Sequence, residues 1–283
     1  MEINYIYESI LKDYLNLNQY NVEKLSTYKE SVKALRASYK SDTCIPKYDT
    51  DKDRDSYMLA YFPYYGLLTS EVIEKIRNYI DIKKKMNVSV FGCGPAPEII
   101  GINNQLKNVQ RITYNLFDYE NGWRNQREFA KKYIKNNYSS NVIFSEISGC
   151  DLLSLCEDCP YSNVKCKEKL KSTDLFIMQN CLNHMKNEED FIKKMIYLVK
   201  NAKKGSIFII IDLEKYDISK RLLKKIKIEN SQKCRKLNEG YNQFLKINKN
   251  SINITIREHL FTGENGLIPK TTVNYIYLAM QKI

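Results

Sequence analysis

The chain has 283 residues, 43% of them hydrophobic and 28% charged, with 10 Gly and 6 Pro, a balance that excludes collagen-like, low-complexity and disordered classes and allows a sizeable core. Its 45 Lys and Arg against 33 Asp and Glu give a formal net charge of +12, and nearly all of the surplus lies beyond residue 85. No apolar run approaches the ~18 residues of a membrane-spanning helix, and the acidic, amphipathic start lacks the basic region and cleavage site of a secretory signal, so the expectation is a soluble, cytoplasmic protein.

Residues 1–85 read as a helical cap. Apolar positions recur at three- and four-residue spacing in Tyr5, Ile6, Ile10, Leu11, Tyr14 and Leu15, and again in Tyr57, Ala60, Tyr61, Tyr64, Leu67 and Leu68. The polar stretch 41–55, with Pro46 and several Asp, reads as a loop or hinge. A last cap helix is expected over 70–79, ending before the Lys83, Lys84, Lys85 run. The aromatic run Tyr57, Tyr61, Phe62, Tyr64 and Tyr65 fits core packing or a lid over a site, with packing the default.

Beyond residue 85 short apolar strands alternate with helices. Strands are expected at 88–91, 111–117, 142–146, 175–179 and 206–212, with helices at 97–106, 123–136, 188–201 and 219–238. Strands separated by crossovers predict an α/β fold with a doubly wound, mostly parallel sheet. Two more strands, 251–260 and 271–281, joined by a turn at 262–270, complete seven strands as a C-terminal antiparallel hairpin. The domain reading is thus a cap, 1–85, and a Rossmann-like unit, 86–283, carrying a Cys-rich insertion at 150–166.

The segment Val88-Ser-Val-Phe-Gly-Cys-Gly-Pro-Ala-Pro-Glu98 sets a strand directly before a glycine turn that opens a helix. Phe91, Gly92, Cys93 and Gly94 can let a ligand approach the strand end closely. A dinucleotide fingerprint needs a third glycine where Pro97 stands, which argues against NAD or FAD. Asp118, closing the second strand with Tyr119 after it, can accept two ribose hydroxyls. Asp151 follows the third strand and can reach an adenine amino group. Gln179 and Asn180 close the fourth strand, before His184.

In the order of these segments the chain resembles the class I S-adenosylmethionine-dependent methyltransferases. VSVFGCGPAPE matches their first motif, NLFDYE is similar to the ribose-binding second, and DLFIMQNCLNHM with FIKKMIYLVKNAKKGSIFIIIDL resembles their fourth-strand to fifth-strand block. The resemblance spans about 86–283. It implies S-adenosylmethionine as cofactor, with 92–96 at its methionine part, Asp118 at the ribose, Asp151 at the adenine, and Gln179 and Asn180 beneath the sulfonium. Val90 stands where the family has an acidic residue in the first strand, and Ala96 where it has the last glycine of the turn.

The acceptor is less legible. Residues 179–182 lack the Pro-Pro-aromatic pattern of amino-methylating nucleic-acid enzymes, and Cys181 reads as a buried, inert thiol. His184 fits a general base or a helix-start histidine bonded to backbone. His259, on a late strand, reads as structural. Trp123 fits an adenine cover or a packing anchor.

Cys44, Cys93, Cys181 and Cys234 are scattered, whereas Cys150, Cys156, Cys159 and Cys166 lie close together. Four thiolates suit zinc or an iron–sulfur cluster; the alternatives are a Cys150 that belongs to the strand end, or four reduced thiols. Between 219 and 249 ten Lys and Arg stand against Glu229 and Glu239, so Lys220, Arg221, Lys224 and Lys225 are candidate phosphate contacts, with a solvated lysine surface as the alternative. The aromatic segment SYMLAYFPYYGLL with a cysteine cluster is loosely similar to methyltransferase-like assembly factors of the mitochondrial small ribosomal subunit. The functional expectation is therefore a methyltransferase with RNA, including ribosomal RNA, favoured as acceptor over a small molecule. A non-catalytic, metal-containing RNA-binding factor is the competing class.

Overall fold

The apolar runs beyond residue 85 fold as strands because most of their side chains have somewhere to be buried on both faces. β5, Ile207–Leu213, is buried at every position, as is β4, Leu175–Gln179, the pattern of central parallel strands covered by helices. The computed structural model of the chain describes residues 2–17, 23–39, 48–138, 141–152, 164–185, 187–261 and 272–283, with the side chains of 164–166 outside that set. β1 (Lys85–Phe91), β2 (Arg111–Asp118), β3 (Asn141–Ser148), β4 and β5 are parallel. β7 (Thr272–Lys282) runs antiparallel to β5, and β6 (Cys234–Lys246) antiparallel to β7. The order β3-β2-β1-β4-β5-β7-β6 is the expected doubly wound, mostly parallel sheet of seven strands with an antiparallel C-terminal pair. The chain reverses winding direction between β1 and β4, where such sheets open a crevice at the C-terminal strand ends.

The helices cover both faces. The N-terminal region holds α1 (Ile3–Ser9), which continues as a π turn to Tyr14, α2 (Glu23–Ser26), α3 (Lys29–Ser38), α4 (Asp51–Ala60) and α5 (Phe62–Ile76). With α6 (Glu98–Gln105) and α7 (Arg124–Asn137) they share one apolar core with one face of the sheet. On the other face α8 (Val164–Ser172), α9 (Glu188–Asn201) and α10 (Asp217–Glu229) flank a second core. No described helix is long and apolar enough to cross a membrane. α9 begins where the sequence places it because the Asn187 side chain accepts from the Asp190 N–H, with Glu188, Glu189 and Asp190 at the positive end of the helix dipole.

Four boundaries differ from the expectation. Residues 51–55 are helical instead of loop, because Thr50 and Asp53 form a reciprocal capping box that opens α4; the cap's last long helix then begins at Phe62, with Pro63 in its first turn. The helix expected over 219–238 ends at Glu229, and β6 follows from Cys234; two register shifts along β6 blur the alternation that marks a strand. The strand expected over 251–260 is instead a 3-10 turn and α11 (Ile254–His259). Ile252, Ile254 and Ile256 suggest alternation, but Ile254 is exposed while Ile252, Ile256 and Leu260 are buried, a four-residue period capped by Asn253. His259 is therefore helical, and the antiparallel pair is β6 with β7.

Candidate functional site

At the C-terminal ends of β1 to β5 lies a cavity of about 560 Å³, within the usual size of small-molecule sites. The turn after β1 forms one wall. Gly92 and Gly94 have φ of +59° and +49°, a backbone that favours glycine, and a Cβ on Gly92 would stand 2.4 Å from the Cys181 Sγ. Ala96 also adopts the left-handed conformation, with φ of +61°. Val90 lies fully buried in the core.

Asp118 closes β2 on the same cavity. Its Oδ2 accepts from the Gly94 N–H at 2.6 Å and its Oδ1 from the Glu120 N–H at 2.8 Å, leaving acceptor capacity on both oxygens for a ligand. Burial raises its pKa, opposed by the Gly94 N–H and the Arg127 charge. Arg127, 1% exposed, donates from Nε to the Gly94 carbonyl at 2.7 Å and pairs with Glu146 at 3.2 Å. It thus braces the glycine turn while its charge sits 3.9 Å from Asp118.

The strand ends next to β1 contribute polar groups without partners. Asn180, after β4, has φ of +55° and donates its backbone N–H to the Ile211 carbonyl at 2.9 Å. Its Oδ1, the Asn183 Oδ1 and the His184 Nδ1 are buried with no hydrogen-bond partner among the described residues, all on residues that line the cavity. Burial lowers the His184 pKa to about 4, so the imidazole is neutral near pH 7. The loop carrying these groups is held by Asp212, whose Oδ2 accepts from the Leu182 N–H at 2.8 Å.

Gln179 plays a different part. Its Oε1 accepts from the Thr69 hydroxyl at 2.8 Å and its Nε2 donates to the Tyr65 carbonyl at 3.1 Å. The amide is therefore engaged with α5, and fastens the N-terminal helices to the strand ends. Cys181 is 5% exposed, its thiol packed against the carbonyls of Phe91 and Gln179 and its pKa pushed up by burial, the inert state expected for it.

Tyrosines from the N-terminal region form the remaining wall: Tyr39, Tyr48, Tyr57 and Tyr65, beside Trp123. The Trp123 ring centroid lies 4.8 Å from that of Tyr48 and 5.4 Å from that of Tyr57. The aromatic run divides, so both sequence readings apply to different residues: Tyr57 and Tyr65 reach the cavity, whereas Phe62 and Tyr64 are core. Trp123 likewise packs and lines at once.

Of the residues singled out from sequence, Gly92, Cys93, Gly94, Asp118, Tyr119, Asp151, Gln179, Asn180 and His184 come together on this cavity; Phe91 ends β1 behind it, stacked 4.6 Å from Phe117. Tyr119 is 65% exposed, at the surface. Cys150 also lines the cavity and is buried. Cys156 and Cys159 lie outside the described residues, as does the side chain of Cys166. Among the described residues no group of three or more His, Cys, Asp and Glu side chains is placed to hold a metal. Lys220, Arg221, Lys224 and Lys225 ride on α10 and none lines the cavity; Arg221 and Lys225 pair with Glu188 at 2.8 and 2.6 Å.

Arg127, Glu98 and Asp212 were not identified from sequence. Arg127 carries a signal, a charge on the face that α7 otherwise fills with Phe129, Ala130, Tyr133 and Ile134. The distant partners of Arg127 and Asp212, and the burial of Glu98, are set only by folding.

No protein-family model matches the chain, and no curated protein matches it in sequence. It is similar in structure to a class I S-adenosylmethionine-dependent methyltransferase of Listeria monocytogenes described as such without proof, at 12% identity and a TM-score of 0.45, over 99% of this chain and 87% of that one. It is also similar to the N-methyltransferase NodS of Bradyrhizobium japonicum, at 8% identity and 0.44, over 78% and 97%. A third is the geranyl diphosphate C-methyltransferase of Streptomyces coelicolor, at 9% and 0.40, over 84% and 86%.

Proposed function

We propose that the chain is an S-adenosylmethionine-dependent methyltransferase whose acceptor is a small molecule with an apolar or aromatic body. The observation that carries the reading is the convergence on one cavity of the Gly92 to Gly94 turn, the Asp118 carboxylate and the unpartnered polar atoms of Asn180, Asn183 and His184. These residues fit the cofactor: the side-chain-free turn admits its body, and Asp118 keeps acceptor capacity for the two ribose hydroxyls. Asp151 and Tyr119 stand on the same rim for the adenine. When bound, the cofactor supplies a sulfonium methyl group to a nucleophile held in line with it.

What the chain itself supplies is orientation and exclusion of water, which account for much of the rate in such a transfer. His184, neutral and with a bare Nδ1, accepts a hydrogen bond from the N–H or O–H of an acceptor and so aims its lone pair. With its pKa near 4 it is a weak base, so its role is alignment more than proton removal. The aromatic wall supports an acceptor with an apolar body.

Titration calorimetry tests this. Wild-type protein is expected to bind S-adenosylmethionine and S-adenosylhomocysteine, and Asp118→Asn to bind each at least about tenfold more weakly because charge-assisted hydrogen bonds to the hydroxyls are lost. Absence of binding to wild type at millimolar ligand overturns the reading. The second reading, an RNA-binding protein with or without turnover, is supported by the exposed Arg221, Lys224 and Lys225 on α10. It requires an RNA affinity that falls steeply with salt, whereas a small-molecule enzyme shows none.

A further inference from the structure

Glu98, the first residue of α6, is 2% exposed and lines the cavity. Among the described residues its Oε2 is buried with no hydrogen-bond partner, and its carboxyl is otherwise served only by its own backbone N–H. Among the described residues, the titratable groups that act on it are Asp118 from β2, Tyr57 from α4, Cys93 from the glycine turn and Cys181 from the loop after β4. All four are acids, so none neutralises a carboxylate there. Burial raises its pKa to about 8. A carboxyl desolvated in this way is costly unless a donor or a cation is brought to it.

We propose that Glu98 is the recognition group for an ammonium that a ligand carries into the cavity, and that this ammonium is the one on the amino-acid tail of the cofactor. The inference rests on the methyltransferase reading. Placement favours the cofactor's tail over an amine acceptor. Glu98 closes the same turn that begins at Gly92, and it is electrically coupled to Asp118. A ligand with its hydroxyls at Asp118 and its body along the turn therefore brings its tail to Glu98. On binding, the Glu98 carboxyl releases its proton to solvent and the resulting carboxylate pairs with the ammonium; no covalent bond changes.

The test compares S-adenosylhomocysteine, which has the ammonium, with 5′-methylthioadenosine, which lacks the amino-acid tail, on wild type and Glu98→Gln. Glu98→Gln is expected to weaken the first ligand at least about tenfold and the second less than twofold. Calorimetry in buffers of different ionisation heat near pH 7 is expected to show more proton release for S-adenosylhomocysteine than for 5′-methylthioadenosine on wild type. That comparison decides the matter if the variant fails to fold. Equal weakening of both ligands, or of neither, overturns the proposal, as does equal proton release by both on wild type. Unchanged S-adenosylhomocysteine binding in the variant, with loss of an amine acceptor, overturns it in favour of the acceptor's ammonium. Wild type that binds neither ligand overturns the methyltransferase reading, and this inference with it.

Discussion

His184 is partly buried beside the cavity, its Nδ1 out of solvent and, among the described residues, without a partner, and this couples the candidate site to pH. Its folded pKa, near 4, lies below the ~6.5 of an unfolded histidine. The unfolded chain therefore binds more protons between those values, and the stability linked to His184 is complete above pH 6.5 and lost as pH falls through 4. The loss amounts to about 3 kcal/mol. Glu98, with its pKa raised to about 8 by burial, acts in the opposite sense, losing stability as pH rises from the ordinary carboxylate range through 8. The difference between wild type and His184→Gln isolates the histidine: urea unfolding at pH 7 and pH 4.5 is expected to show wild type losing more stability than the variant on acidification. Identical losses would mean that the imidazole is solvated. His184 was legible as a residue near the site because it follows the fourth strand; its uncharged state was not, because burial comes from distant segments.

At the scale of elements, the contact between α5 and α6 joins the N-terminal helices to the sheet unit. Gly66 and Gly101 allow it: a Cβ on Gly101 would lie 2.4 Å from the Gly66 carbonyl oxygen and 2.6 Å from the Ser70 N. Both are backbone atoms, so the helices themselves must move apart. Gly101→Ala is expected to cost about 2 to 3 kcal/mol, as overpacking does, outweighing the higher helix propensity of Ala of about 1 kcal/mol; a thermal melt that shows stabilisation would refute the tight crossing. Element by element, legibility followed the clarity of the period. α9 and β4 fall where expected, because Asn187 and a continuous apolar run mark them. β6 and α11 do not, because bulges interrupt one and the spacing of Ile252, Ile254 and Ile256 suits both periods.

Across the whole molecule, one core runs from Ile3, Ile6 and Leu25 through Tyr64 and Ile73 to Val88, Ile112 and Ile209. Polar contacts follow the same path: the Tyr14 hydroxyl donates to Asp55 at 2.5 Å, and Gln126 of α7 donates to Asp55 at 3.1 Å. The boundary expected near residue 85 thus separates segments that are packed together. Chemical denaturation monitored by Trp123 fluorescence and by far-UV ellipticity is expected to give one coincident transition; two separated midpoints would show the N-terminal helices unfolding alone. By itself the sequence determined the parallel α/β layering, the glycine turn after β1 and the acid that closes β2, because these depend on short-range periodicity, backbone conformation and order along the chain. Only the tertiary structure decided that Gln179 is engaged with α5, that Arg127 braces the turn, that Glu98 faces the cavity uncompensated and that tyrosines from the N-terminal helices wall it. Those properties arise from burial and from partners up to a hundred residues or more away, and no local pattern encodes them.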